Sequence, residues 1–290
     1  MIEGEKMIYF TKMHGLGNDY VYMDYEKEKE KMKDCSTFAK WVSNRHFGIG
    51  SDGLILICSS KVADFRMRMF NADGSEAEMC GNGIRCVGKF VYDKKMTSQT
   101  HITVETLAGI IALQLQVEQN VVKQVTVTMG KPILEADKVP VIAENSPVAN
   151  ISLQAMDKKF LLTCVSMGNP HAVTVVKDVD NFPVQVYGPI LEKDPHFPKK
   201  ANIEFVEIIN DHHIKMRVWE RGSGETLACG TGACATVVAQ TLQKAIPAGE
   251  EITVSLLGGD LKVKYDQQVF MTGPAVTVFE GQIEEEEIPW

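Results

Sequence analysis

Met79-Cys80-Gly81-Asn82-Gly83 returns later in the chain as Ala228-Cys229-Gly230-Thr231-Gly232, 149 residues on. Outward from these two stretches the register holds. Met67-Arg68 matches Met216-Arg217 and Glu76 matches Glu225 at the same offset, Ile102-Thr103-Val104 matches Ile252-Thr253-Val254 at 150, and Gly17-Asn18 matches Gly168-Asn169 at 151. A register shared over that length marks an internal duplication. Each copy opens an apolar run, Ile84 to Tyr92 and Ala233 to Leu242, expected to be helical. A helix apolar nearly all round, with strands on either side, is expected to be wrapped by its own sheet. The expected class is α+β: two pseudo-symmetric domains, each a curved, mostly antiparallel sheet or barrel around a central helix.

The remaining segments agree with that class. Asp34 to His46 carries Phe38, Trp41, Val42 and Arg45 at helical spacing, with Asp34 as N-cap and Gly48 beyond the end. Short alternating or β-branched stretches predict strands at Leu54 to Cys58, Phe65 to Phe70, Ile102 to Glu105, Val121 to Met129, Leu161 to Val165 and Ala172 to Val176. They continue at Ile203 to Ile208, Ile214 to Trp219, Ile252 to Leu256, Leu261 to Tyr265 and Val276 to Phe279. The halves are expected to join near residues 130–147, with 1–135 carrying Cys80 and 136–290 carrying Cys229. Residues from about 275 to 290 are expected to pack back onto the first half.

The 290 residues are 44% hydrophobic and 23% charged, ordinary for a globular protein, and the net charge of −8 argues against nucleic acid or an anionic membrane as partner. No apolar stretch approaches the roughly 18 residues of a membrane span. The opening Met-Ile-Glu-Gly-Glu-Lys lacks a basic region followed by an apolar one, so a cytoplasmic location is expected. Seven cysteines, an odd number, are expected to be reduced thiols.

Two like-placed thiols facing each other across a pseudo-twofold cleft would suit racemisation or epimerisation, with a base on one face of a carbon and a proton donor on the other. A thiol titrates near about 8.5, and a helix N-terminus can bring it toward roughly 7. That change corresponds to about 2 kcal/mol, the upper end of what a helix terminus supplies. Glycines beside each cysteine let the N–H groups of Gly81, Asn82, Gly230 and Thr231 grip a carboxylate. Asn18 and Asn169 fall at equivalent places in the halves, and Asn71 and Glu220 each lie nine residues before a cysteine. Arg221, beside Glu220, is a candidate carboxylate clamp. His14, His171, His212 and His213 are available to tune pKa values, but none sits in a motif that marks a base. Gly48-Ile-Gly50-Ser-Asp-Gly53 matches a dinucleotide fingerprint, yet a helix precedes it and a strand follows, the reverse of what that site needs. Cys80/Cys86 and Cys229/Cys234 lack zinc-ligand spacing, so no metal is expected.

Phe70-Asn-Ala-Asp-Gly-Ser-Glu-Ala-Glu-Met-Cys80-Gly-Asn-Gly and Trp219-Glu-Arg-Gly-Ser-Gly-Glu-Thr-Leu-Ala-Cys229-Gly-Thr-Gly resemble the diaminopimelate epimerase family. Lys12-Met-His-Gly-Leu-Gly-Asn-Asp-Tyr20 and Ser166-Met-Gly-Asn-Pro-His171 extend the resemblance over the whole chain. It implies a cofactor-independent isomerase, a homodimer, interconverting LL- and meso-diaminopimelate for lysine and peptidoglycan synthesis. It also implies Cys80 and Cys229 as the acid/base pair, with Cys80 the base toward the LL isomer and Cys229 toward the meso isomer. Gly81, Asn82, Gly230 and Thr231 would hold the carboxylate at the reacting centre. Asn18, Asn71, Asn169, Asn202, Glu220 and Arg221 would hold the distal end. At Gly53 some relatives carry a substrate-facing glutamine, a contact missing from this chain. Proline racemase-like enzymes share the architecture and the second Cys-Gly-Thr-Gly, but usually place histidine after the first Cys-Gly, where this chain has Asn82. Histidine racemases and a non-catalytic amino-acid-binding protein are the alternative readings.

Overall fold

The computed structural model describes residues 7–290, so the opening Met1 to Lys6, where a targeting signal was sought, lies outside the described residues. The chain divides into two compact units, one formed by Met1–Val127 with Gly273–Trp290 and the other by Thr128–Thr272. The sequence-based division at 135/136 falls a few residues after the first crossing, which lies inside a strand.

In the first unit β1 (Met7–Gly15) and β2 (Asn18–Asp24) form a hairpin, then α1 (Tyr25–Glu28) and α2 (Cys35–Ser43) lead to β3 (Gly53–Cys58). β4 (Phe65–Asn71) and β5 (Glu76–Ala77) follow, then α3 (Gly81–Asp93), β6 (His101–Thr106), β7 (Gly109–Glu118) and β8 (Val121–Gly130). β2 and β3 run parallel, β3, β4 and β5 antiparallel, β4 and β6 parallel, and β6, β7 and β8 antiparallel. The second unit repeats this order. β9 (Ile151–Ala155), β10 (Lys158–Ser166) and β11 (Pro170–Val175) precede α4 (Val184–Glu192), β12 (Asn202–Asn210), β13 (His213–Glu220) and β14 (Gly224–Glu225). Then come α5 (Gly230–Leu242), β15 (Glu251–Leu256), β16 (Gly259–Asp266) and β17 (Gln268–Pro274). β11 and β12 are parallel, as are β13 and β15, and the other pairs of this unit are antiparallel. The last strand, β18 (Val276–Glu284), returns to the first unit and pairs with β1.

Asp34 caps α2 through its carboxylate, which accepts from the Thr37 N–H at 2.7 Å. The helix stops at Ser43, short of the expected His46, because Asn44 turns extended and its side chain accepts from the His46 and Phe47 N–H groups. α4 occupies the same place between parallel strands and was not legible as a helix, since Gly188 and Pro189 interrupt its pattern. Gly188 is required there: a Cβ would lie 2.5 Å from the Trp219 ring.

Within each unit one helix is enclosed. Gly81 to Val91 of α3 are all buried, against β1, β2 and β7, and α5 is buried from Gly232 to Gln240 against β10, β11, β12 and β16. Ile84, Val87 and Val91 have no exposed surface, and each such side chain stabilises the unit by about 1.5–3 kcal/mol. The outer layers have cores of their own. Phe38, Leu54, Leu56 and Phe70 pack under α2, where Trp290 stacks on Phe38 at 5.9 Å, and Phe160, Phe182, Tyr187 and Phe205 cluster under α4. Among the described residues no helix is long and apolar enough to cross a membrane.

Candidate active site

Cys80 is the N-cap of α3, half-buried, with an extended backbone that turns the chain into the helix. Its Sγ accepts from the Gly83 N–H at 3.4 Å, and its carbonyl accepts from the Ile84 N–H. Gly81 and Asn82 are the first two helical residues, whose N–H groups have no acceptor within a helix and are the ones an anion would meet. Gly83 packs closely under β3: a Cβ would lie 2.7 Å from Ile55 Cδ1, so the end of that side chain would have to move. Asn18, the first residue of β2, follows the Leu16-Gly17 turn, where both residues have positive φ. Its Oδ1 lies 3.2 Å from Cys80 Sγ as acceptor, and its Nδ2 donates to Asp52 Oδ2 at 2.8 Å. Sequence and structure thus bring Asn18, Cys80, Gly81 and Asn82 together. Asn71 behaves differently: at the end of β4 its Nδ2 donates to Ser75 Oγ at 3.0 Å inside the turn to β5.

Behind Asn18 is a charged cluster that motif reading missed. Arg45 donates to Asp19 Oδ1 at 2.8 Å and to Asp52 Oδ1 at 3.0 Å, and buried Lys12 pairs with Asp19 and donates to the Gly50 carbonyl. Burial works to raise the Asp19 carboxyl, but hydrogen bonds from Arg45 and Lys12 outweigh it and leave the group below its ordinary range. Tyr20 was missed as well. It shares a face of β2 with Asn18 and with Tyr22, whose hydroxyl donates to the Gly83 carbonyl at 3.1 Å. Burial, then the nearby Cys80 sulfur, raise the Tyr20 phenol. Gly53 is explained by the neighbouring strand first and Tyr20 second: a Cβ there would lie 2.1 Å from the Phe70 carbonyl oxygen and 2.9 Å from the Tyr20 ring.

Cys229 is the N-cap of α5 but is 5% exposed. Its Sγ is 3.5 Å from Thr231 Oγ1, which accepts from Asn169 Nδ2 at 3.4 Å. Asn169 Oδ1 faces His171 Nε2 at 3.0 Å, and His171 Nδ1 faces Glu204 Oε1 at 2.6 Å, both side chains having no exposed surface. Glu204 Oε2 is buried with no hydrogen-bond partner among the described residues. The carboxylate lies against the helix entry, where a Cβ on Gly232 would be 2.8 Å from Oε1. Gly230 and Thr231 are the first two residues of α5. Glu220, at the end of β13, accepts from Thr226 Oγ1; burial raises its carboxyl, against the pull of Thr226, His171 and Cys229. Asn202 commits its amide to backbone at both ends, to the Pro170 carbonyl at 3.1 Å and from the Arg221 N–H at 2.8 Å, so it braces the turn that carries Arg221. The exposed Arg221 guanidinium donates to the Lys199 carbonyl at 3.1 Å.

The expectation that a helix N-terminus lowers both thiols fails at Cys229. Complete burial, then the Glu220 and Glu204 carboxylates, push this thiol well above its ordinary value, and donation from Thr231 and the Gly232 N–H does not compensate. A helix terminus contributes at most about 2 kcal/mol, too little against full desolvation beside two carboxylates. Three further thiols behave as core groups: burial pushes Cys86 up to about 11, and Cys58 and Cys164 up to about 12. Among the described residues no group of three or more His, Cys, Asp or Glu side chains is placed to hold a metal ion.

The family profile described as diaminopimelate epimerase matches residues 10–135 and 163–278. The chain belongs to the diaminopimelate epimerase family. A diaminopimelate epimerase of Methanococcus maripaludis is 57% identical over 278 residues, covering 95% of this chain and 99% of the relative. One from Acetivibrio thermocellus is 55% identical over 282 residues, covering 96% and 99%. Among solved structures, a hydroxyproline epimerase from Agrobacterium vitis, with trans-4-hydroxy-L-proline bound, superposes with a TM-score of 0.68. That match covers 96% of this chain and 91% of the other at 14% identity, a likeness of fold alone. Both Cys-Gly-x-Gly elements fall inside the segments that the diaminopimelate epimerase profile covers.

Proposed function

We propose that this isomerase interconverts LL- and meso-diaminopimelate by moving a proton at one α-carbon, with Cys80 and Cys229 as the two carriers. The observation that carries the reading is the repeat itself: in a chain of this family, each unit presents a cysteine as the N-cap of an enclosed helix, followed by the two N–H groups of the first helical residues. One sulfur takes the α-proton as a thiolate, the other delivers its own proton to the opposite face, and the charge that builds on the carboxylate is met by the N–H groups of Gly81, Asn82, Gly230 and Thr231. The elevated Cys229 thiol supports its acting as proton donor when Cys80 is the base toward the LL isomer. Asn18, Asn71, Asn169, Asn202, Glu220 and Arg221 complete substrate binding in this reading. The reaction needs neither metal nor organic cofactor, and the family resemblance supports a homodimer acting in the cytoplasm.

Epimerisation in D₂O at early conversion tests the mechanism. The donating thiol exchanges with solvent before substrate binds, so product is expected to carry deuterium at the inverted carbon while recovered substrate stays protiated. Recovered substrate gaining label as fast as product forms would mean that one base serves both faces, and would sink the two-thiol mechanism.

A further inference from the structure

Asp52 lies in the Gly48–Gly53 stretch, to which motif reading gives no role. Its Oδ2 accepts from Asn18 Nδ2 at 2.8 Å and from the Asp19 backbone N–H at 3.1 Å, while its Oδ1 accepts from Arg45 at 3.0 Å. A carboxylate only accepts, so the end of the Asn18 amide turned toward Asp52 is its nitrogen. The amide oxygen is left facing Cys80 Sγ at 3.2 Å. That oxygen also only accepts, so the contact is a hydrogen bond while the sulfur carries its proton and a repulsion once it does not. We propose that Asp52 is a positioning residue for epimerisation: it locks the Asn18 amide in the one orientation that holds the proton on Cys80. The inference rests on the reading of Cys80 as a proton carrier.

The substitution that tests the lock is Asp52→Leu, close to the aspartate in shape but without an acceptor. With no carboxylate oxygen to hold its nitrogen, the Asn18 amide is free to turn that nitrogen toward Cys80, where a donor favours the thiolate. Beside Cys80 in its unit, Tyr22 of β2 and Cys86 of α3 meet neither Asp52 nor Asn18, whereas Tyr20 of β2 meets both the Asp52 charge and the Asn18 side chain, so the Asn18→Ala background is needed to separate a direct effect of Asp52 from the one carried by the amide.

The experiment is peptide-resolved alkylation of Cys80 by iodoacetamide across pH. The midpoint in Asp52→Leu is expected about one unit below that of the wild type, the size of a single hydrogen bond to a charged group. No such shift is expected when the same substitution is made in an Asn18→Ala background. An unchanged midpoint overturns the proposal, and so does an equal shift in the Asn18→Ala background, because removal of a negative charge would then suffice. If Asp52→Leu fails to fold, a neutron-diffraction map of the wild type decides. Amide deuterons of Asn18 on the Asp52 side support the assignment, and deuterons on the Cys80 side overturn it. Alkylation does not depend on turnover, so a protein that shows the shift but leaves diaminopimelate unchanged fails the proposed function and not this link.

Discussion

The two cysteine environments derive from one duplicated design, and three of the exchanges between the copies, beside that of Asn71 for Glu220, make them differ. Tyr20 pairs with Gly53 across the parallel strands of the first unit, as His171 pairs with Asn202 in the second, and two residues further along β3 and β12 stand Ile55 and Glu204. Where the first unit places a phenol and an aliphatic side chain under its helix entry, the second places a buried histidine and carboxylate. The third difference is Asp52, whose counterpart 149 residues on is Ala201. Asn18 is therefore held by its nitrogen from the loop before β3, while Asn169, just before β11, meets His171 of that strand through its oxygen. The asparagines present opposite ends to their surroundings: an acceptor toward Cys80, and a donor, through Thr231, toward Cys229. A duplication can keep the backbone and reverse the hydrogen-bonding sense of the site it carries.

The largest test of this contrast is His171→Phe. Removing the imidazole leaves the Glu204 carboxylate buried without a partner, and the expected loss is about 3 kcal/mol of unfolding free energy, read from urea melts. A loss under about 1 kcal/mol would mean that the buried pair is not what separates the halves. Glu220→Gln sharpens the electrostatic side. Burial is the first cause of the elevated Cys229 thiol and the Glu220 charge the next, so removing that charge is expected to bring the pH midpoint of Cys229 alkylation down, with burial keeping it above an ordinary thiol. A midpoint that stays or rises would show that Glu220 does not act on Cys229 through its charge. The smallest effect belongs to the first unit. Arg45 is 57% exposed, so Arg45→Met is expected to cost less than about 1 kcal/mol in the same melts, because solvent already screens its pairs with Asp19 and Asp52. A cost equal to that of His171→Phe would erase the distinction between a buried and a solvent-screened network.

Periodicity found the enclosed helices and most of the long strands, because those segments bury continuous or alternating apolar faces. It missed β1, β2, β7, β9 and β17, and the two-residue β5 and β14. In β7 the signal was there to read, since Leu113-Gln114-Leu115-Gln116-Val117-Glu118 alternates and Leu113 and Leu115 are its buried residues, but Gly109-Ile110-Ile111-Ala112 before it breaks the pattern. The cysteines and their glycines were legible as a repeated motif. Tyr20, Asp52 and Glu204 were not: Tyr20 and Asp52 lie in the singled-out stretches Lys12–Tyr20 and Gly48–Gly53, yet each of the three gains its meaning from a neighbour tens of residues away.

The sequence by itself determined the duplication, the two Cys-Gly-x-Gly helix starts and the family, since these are matters of local propensity and of a register that survives in one dimension. Only the tertiary structure decided how each thiol is tuned. Strand pairing sets His171 and Glu204 beside the entry of α5, and loop packing sets Asp52 and Arg45 behind Asn18. Burial and charge at a sulfur are sums over every side chain that folding brings near it, and such sums do not exist along the chain.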